Sequence, residues 1–395
     1  MNTVNNTPYR SHSTRLVAAS LIGALGLGMT GLTTVPAAAT PSEQSLQTRM
    51  GALLEVGYPA VLATVTDAQG GSTGVAVGLG DKDTGASAPV NGQVRIGSNT
   101  KTFVAVVVMQ LVQEGRVQLD EPVETHLPGL LRGEGVDGSR ITVRQLLQHT
   151  SGLPEYTDTV VPTGDFIEHR NDYLSPRELL DVALAKPAAF EPGDRYAYTN
   201  TNYIVLGMLI EKVTRRTVSE QIDQRIVQPL GLHNTYMPHP GERFLRGAHP
   251  QGYHRDVSGE LVDVTEMEPA WGWAAGSMVS TPGELNIFFQ ALLDGTLLSA
   301  ESLAEMQRTV TTDQEGSEYG LGLIKSSLSC GEAWGHGGTI HGYQSINAVG
   351  PDGTAMTLVT TAIPLALVED PTDVERIMPL FAQLEDTLET TLCQG

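Results

Sequence analysis

The chain has 395 residues, 40% apolar and 17% charged, a composition that builds a packed core and excludes a disordered polymer. Its 45 acidic residues outnumber 24 basic ones for a net charge of −21, and such a surface repels phosphate backbones and anionic lipid, so nucleic-acid binding is disfavoured. The length admits one large domain with an inserted lobe, or two domains.

Residues 1–39 carry no acid, and Arg10 and Arg15 precede the apolar run 16–32, which ends near the small residues Ala37-Ala38-Ala39. That pattern reads as a secretory signal peptide rather than a membrane anchor, because Gly and Thr interrupt the run. No later stretch is apolar enough to span a bilayer, so the expected mature protein is secreted and has no membrane partner. Cys330 and Cys393 are the only cysteines. In an oxidising compartment they are expected to pair and tie the last helix to a late strand, two free thiols being the alternative.

After the signal segment, residues 43–56 read as a helix and 60–66 and 74–80 as strands. Asp81-Lys82-Asp83-Thr84-Gly85 has its Gly one position early for a calcium loop and no closing Glu, so it reads as a turn. A short strand at 94–97 leads into a helix on which Phe103, Val104, Val107, Val108, Leu111 and Val112 recur at helical spacing and which Gly115 closes. Its first turn carries Ser98 and Lys101, three apart and therefore on one face. A serine hydroxyl becomes a nucleophile when a base takes its proton, and a lysine is such a base once burial or a neighbouring cation lowers its pKa. Taken alone the pair is a weak signal, equally readable as a polar first turn on a buried helix.

From 120 to about 271 alternation is scarce and Pro-bounded helical segments follow one another at 143–149, 176–185, 202–213 and 219–228. Tyr198 and Asn200 stand two apart in a loop just before the third of these and can point the same way. A phenol can relay a proton and an amide can hold a substrate carbonyl, although in isolation the pair reads more readily as a packed aromatic and a helix cap. Helices are expected again at 282–293 and 300–307, followed by strands at 319–324, 332–336, 342–349 and 355–360, with the turn Pro351-Asp352-Gly353 making a hairpin of the last two. A helix over 373–387 ends the series. The expected organisation is a sheet-containing region at 40–119 and 275–395, interrupted by a helical lobe at 120–274.

His336-Gly337-Gly338-Thr339 follows a strand, and paired glycines let a substrate backbone approach N–H groups that face a carbonyl oxygen. The G-x-S-x-G string at 70–74 leads into a strand rather than a helix and so is no nucleophile elbow, and no H-E-x-x-H occurs, which argues against an α/β-hydrolase and a metallohydrolase.

Ser98-x-x-Lys101, Tyr198-x-Asn200 and His336-x-Gly338, in that order, resemble the three motifs of the serine penicillin-recognising enzymes. Tyr in the second motif and His in the third make the variant similar to class C β-lactamases, family esterases and D-aminopeptidases. The nearest resemblance is to the secreted D-alanyl-D-alanine carboxypeptidase/transpeptidase type of actinomycetes. It extends through residues 146–153, 196–203, 207–212, 319–323 and 328–331. The resemblance implies an α+β fold with an antiparallel sheet flanked by N- and C-terminal helices and an inserted helical lobe. It implies an exported monomeric hydrolase that needs no metal or organic cofactor. Its partners would be D-peptides of the peptidoglycan stem type and β-lactams. A β-lactamase, an esterase, a D-aminopeptidase or amidase, and a non-catalytic binding protein are the alternatives.

By that resemblance Ser98 is acylated, Lys101 takes its proton, Tyr198 passes a proton to the leaving amine, Asn200 holds the substrate amide and His336 polarises the site. The N–H groups of Ser98 and Thr339 form the oxyanion hole, with Gly338 and Trp271 beside the substrate. The chain departs from the carboxypeptidase pattern at two places. Ile324 stands where an Arg would hold the substrate carboxylate, and Gly337 replaces the first of two Thr. Lys325 is adjacent to Ile324 but points to the opposite face of a strand.

Overall fold

In the computed structural model, residues 41–160 and 166–394 are described; the expected signal peptide lies outside them. The helix after it, α1, spans Pro41–Glu55. The chain then enters β1 (Ala60–Thr66) and β2 (Ser72–Gly78), a hairpin with Ala60 opposite Gly78. Helix α2 (Asn99–Gln113) follows, and the chain departs through helical segments that include Val143–Leu147, Pro176–Leu184 and α3 (Thr201–Thr214). It returns through α4 (Pro282–Leu293) and six strands: β3 (Val310–Thr311), β4 (Ser317–Tyr319), β5 (Ile324–Leu328), β6 (Gly331–Ile340), β7 (Tyr343–Val349) and β8 (Ala355–Thr360). Helix α5 (Val374–Gln394) closes the series.

Among the described residues these strands form one eight-stranded sheet in the order β2-β1-β8-β7-β6-β5-β4-β3, antiparallel throughout. This is the expected α+β architecture, with terminal helices on the sheet and a helical insert. Both sheet faces are covered, so its central strands are apolar on successive residues rather than on alternate ones. Ala60 and Leu62 of β1 face one core with Phe103 and Phe288, while Val61 and Ala63 face a second with Leu46, Met50, Leu53, Leu384 and Leu388. The ring of Phe103 on α2 stacks on that of Phe288 on α4 at 3.6 Å.

Helix α2 shows why periodicity alone was incomplete. Its apolar positions imply one buried stripe, but the whole stretch from Asn99 to Met109 is buried, polar first turn included. A helix enclosed on all sides needs no polar face, and burial outweighs the strand preference of Val104, Val106, Val107 and Val108. The strand expected at 319–324 is a second difference. The chain turns there, Gly320 N–H donating to Leu323 O at 2.8 Å, and Tyr319 on β4 pairs with Ile324 on β5. Gly322, at φ +77°, supplies the left-handed conformation that the turn requires.

The N-terminus of α2 is locked onto the sheet. Asn99 Nδ2 donates to Ser345 Oγ at 2.8 Å, and Asn347 Nδ2 donates to Asn99 Oδ1. Just upstream, the buried Arg95 donates to the carbonyls of Thr265, Met267 and Arg243, tying the segment before Trp271 to the strand that leads to Ser98. At the far edge Cys330 and Cys393 form the expected disulfide, with Cα atoms 5.4 Å apart, joining the β5–β6 turn to the end of α5.

Two stability outcomes follow from this packing. A Cβ on Gly338 would lie 1.9 Å from Ile96 O and 2.8 Å from Ser345 Oγ, so Gly338→Ala forces β6 from α2. Its expected cost is at or above the top of the ~1–3 kcal/mol range for overpacking, read as a lowered denaturation midpoint; an unchanged midpoint would mean that the contact yields freely. Replacing both Cys330 and Cys393 by Ala releases a 63-residue loop and should cost about 4 kcal/mol in urea unfolding.

Candidate active site

Ser98 occupies the N-cap position of α2 but caps nothing. Its backbone is already helical (φ −64°, ψ −10°), so its hydroxyl turns away from the helix N–H groups. The hydroxyl instead accepts from Lys101 Nζ at 3.0 Å. The same Nζ donates to Asn200 Oδ1 at 2.8 Å and to Ala275 O at 2.7 Å. Lys101 is 0% exposed and no carboxylate touches its amine, so burial pushes its pKa down to about 7, opposed only in part by the more distant charge of Glu155. A lysine near neutrality is the base that a serine requires.

Asn200 repeats the pattern at the start of α3. It stands at the N-cap in a helical conformation (φ −65°, ψ −28°) and its side chain does not cap. Of the two readings left open by the sequence, the cap is therefore excluded. The ring centroid of Tyr198 lies 4.9 Å from Lys101 Nζ, and Tyr198 lines the same cleft as Ser98. The residue is 39% exposed, with its ring set against Lys101 and His149. Enclosure holds the phenol well above its ordinary pKa, Ser98 opposing in part. The two groups are thus driven apart, Lys101 toward the neutral amine and Tyr198 toward the protonated phenol, the states that a base and a proton donor require.

The loop that carries them is held from behind by His149, at φ +58°. Its ring stacks on Tyr198 at 4.2 Å, and its Nδ1 accepts from Thr199 N–H at 3.2 Å. Burial, and then Lys101, lower its pKa well below the usual value, so the imidazole is neutral.

The facing wall is β6. Strand β5 pairs with β6 only as far as Gly335, which leaves the edge from His336 to Ile340 open on that side. His336 is buried and its pKa is pushed down to about 3, by burial first. Its Nδ1 donates to Gly337 O at 2.6 Å and its Nε2 accepts from Tyr319 O–H at 2.9 Å. The imidazole expected to polarise the site is therefore neutral, with both nitrogens engaged, and bridges β4 to β6. The two glycines have different duties. Gly338 lets α2 approach the sheet, whereas Gly337 leaves room in the cleft, where the nearest atom to an added Cβ is Ser345 O at 3.5 Å. A Cβ on Gly97 would lie 2.8–3.0 Å from the backbone of Thr339, so the segment before Ser98 runs in close contact with β6 at Thr339.

Ser98, Tyr198, Asn200, Trp271, His336, Gly338 and Thr339 all line one cleft of about 860 Å³, and Lys101 sits directly beneath Ser98. The structure thus brings together every expected site residue apart from the disulfide. One flank is apolar: Trp271, Ile340, His341, Ile363 and Leu365, with His341 stacked on Phe166 at 3.5 Å. Ile324 also lines the cleft, while Lys325 does not and pairs with Glu332 at 2.6 Å. Among the described lining residues there is no lysine or arginine. Sequence reasoning assigned no role to His149, Tyr319, Glu155 or the Ala275 carbonyl. The histidine lies in a stretch whose resemblance was visible, but no spacing rule links any of the four to Ser98.

Comparison with known proteins agrees with this geometry. The Beta-lactamase family profile matches residues 46–373. A D-stereospecific amidohydrolase from Streptomyces sp. is 36% identical with a TM-score of 0.77, covering 90% of this chain and 100% of that one. The D-amino acid amidase of Ochrobactrum anthropi SV3, solved with L-phenylalanine amide, is 27% identical with a TM-score of 0.73, covering 88% and 100%. Penicillin-binding protein 4 of Amycolatopsis lactamdurans is 28% identical over 289 residues, 71% of each chain. Other curated relatives, from Staphylococcus aureus, are matched over only 30% to 40% of their length. The matched profile spans most of the chain and contains the Ser98 helix, the Tyr198 loop and the His336 strand: the chain belongs to the Beta-lactamase family.

Proposed function

We propose that this protein is an exported serine hydrolase that acts on D-amino acid amides, or on peptides extended beyond the scissile bond, rather than a strict D-alanyl-D-alanine carboxypeptidase. The observation that carries this reading is the absence of a cation from the described cleft lining. A free substrate carboxylate needs a charge-assisted partner, and Ile324 occupies the place where one is expected. Thr339, the remaining hydroxyl of the third motif, already donates to Gln344 Oε1 at 2.7 Å. The Streptomyces and Ochrobactrum relatives, named for D-stereospecific amide hydrolysis, support the same class. The apolar flank of Trp271, Ile340 and Leu365 fits an apolar acyl side chain.

In this mechanism neutral Lys101 takes the proton of Ser98 as Oγ adds to the substrate carbonyl. The resulting oxyanion is held by the N–H groups of Ser98 and Thr339. Tyr198 gives its proton to the leaving nitrogen as the C–N bond breaks, and the Lys101 ammonium passes its proton to Tyr198, so both return to their starting forms. Water or an amine then attacks the Ser98 ester, its proton passing to Lys101, and Lys101 returns that proton to Ser98 Oγ as the acyl group departs.

Three outcomes test the proposal. For an acyl-D-Ala-D-Ala peptide and its C-terminal amide, kcat/KM should be comparable, and Ile324→Arg should raise activity on the free acid alone. A preference of about a hundredfold for the free acid in the wild type, the size of a full charge-assisted contact, would mean that another cation fills the role. Ser98→Ala should abolish turnover and remove the β-lactam adduct from the Ser98 peptide in mass spectrometry. Because the neutral form of Lys101 is the base, kcat/KM should rise with pH through about 7; a rate independent of pH there would remove lysine from that role.

A further inference from the structure

Glu155 has no part in the mechanism so far and does not line the cleft, yet its carboxylate lies one residue behind the base. Its Oε2 accepts from Asn200 N–H at 2.7 Å and from Asn200 Nδ2 at 3.2 Å. Its Oε1 accepts from Tyr156 N–H at 2.8 Å and Thr157 N–H at 3.0 Å. Among the described residues no lysine or arginine forms an ion pair with the carboxylate; Lys186 Nζ donates to the Glu155 backbone carbonyl at 2.6 Å and pairs with Asp158. A half-buried carboxylate held by four N–H donors is a stiff anchor, and an ionised carboxylate only accepts. The amide of Asn200 therefore turns its Nδ2 toward Glu155 and its Oδ1 toward Lys101.

That orientation matters most when Lys101 is neutral. A neutral amine has two N–H bonds and one lone pair. Asn200 Oδ1 at 2.8 Å and Ala275 O at 2.7 Å accept the two N–H bonds, and the remaining direction is toward Ser98 Oγ at 3.0 Å. Were the amide reversed, Nδ2 would face the amine as a second donor, and the lone pair would be drawn away from Ser98. We propose that Glu155 is a positioning residue that acts through Asn200 to aim the lone pair of Lys101 at the Ser98 hydroxyl. This rests on the assignment of Ser98 and Lys101 as nucleophile and base.

The charge has a second, separable effect. The groups around the Lys101 amine are the rings of Tyr198 and Tyr203, the neutral imidazoles of His149 and His336, the Asn200 and Ala275 oxygens, and Glu155 at longer range. Glu155 is the one anion among them, and it favours the ammonium. Its removal should therefore move the acid limb of the rate profile to lower pH.

The test is the acylation burst with p-nitrophenyl acetate, followed from pH 5 to 9 in the full-length secreted enzyme, a substrate that does not depend on the amide reading. Glu155→Gln should slow acylation at the plateau by about ten- to a hundredfold, the scale of one lost charge-assisted hydrogen bond, and shift the acid limb downward. Glu155→Asp keeps the charge but falls short of Asn200, so it should slow acylation and leave the limb in place. The double variant Glu155→Gln/Asn200→Ala should be no slower than Asn200→Ala, because the first residue acts through the second. Wild-type rate and limb in Glu155→Gln, or additive losses in the double variant, would overturn the proposal. If Glu155→Gln does not fold, Glu155→Asp decides it, and a wild-type rate there would overturn it. A burst that persists in Ser98→Ala would instead overturn the nucleophile assignment, a different failure with a different signature.

Discussion

The site depends on one buried amine. Lys101 lies in the first turn of a helix enclosed on every side, and burial makes its charged form costly where three oxygens, but no carboxylate, are in contact. A carboxylate at hydrogen-bond distance would have fixed the ammonium and ended its use as a base. Amide, carbonyl and hydroxyl oxygens satisfy the N–H groups without supplying that full opposing charge. Placing Glu155 one residue back keeps an anion near enough to organise the amide but out of contact with the amine.

The same logic explains two helix starts. Ser98 and Asn200 are residue types that stabilise a helix by capping it, and both stand at the N-cap without doing so. Each forgoes a contribution of about 1 kcal/mol so that its oxygen can meet Lys101. The surrounding packing compensates: α2 is buried, Asn99 is bonded to β7, Arg95 secures the segment leading to Trp271, and Gly338 admits the helix against β6. Stability is thus given up at the reacting groups and recovered in the scaffold.

Specificity lies on the walls instead of in the reacting groups. Acyl transfer needs Ser98, Lys101, Tyr198 and the two amides whatever the leaving group. Ile324, Gly337, Thr339, Trp271 and His341 line the cleft without being reacting groups, and Thr339 is bonded to Gln344. A family that shares its chemistry can change substrate by altering such positions, which is why the amide reading rests on lining residues.

Much of this was legible in the linear order of residues. Three short motifs, correctly spaced, pointed to Ser98, Lys101, Tyr198, Asn200, His336 and Thr339, because each motif pairs groups within one turn or one strand, where spacing dictates proximity. The departure at Ile324 was legible too, since a strand alternates its faces. What the sequence left open depends on groups remote in the chain that fold together. Full enclosure of α2, and with it the lowered pKa of Lys101, comes from layers packed on every side. The neutral state of His336 comes from burial and its tautomer from Tyr319 across the sheet, the stacking of Tyr198 from His149, and the orientation of Asn200 from Glu155, 45 residues earlier. Resemblance to the family's three motifs names the candidate reacting groups, but protonation state and direction follow from burial and from partners brought together only by the tertiary fold.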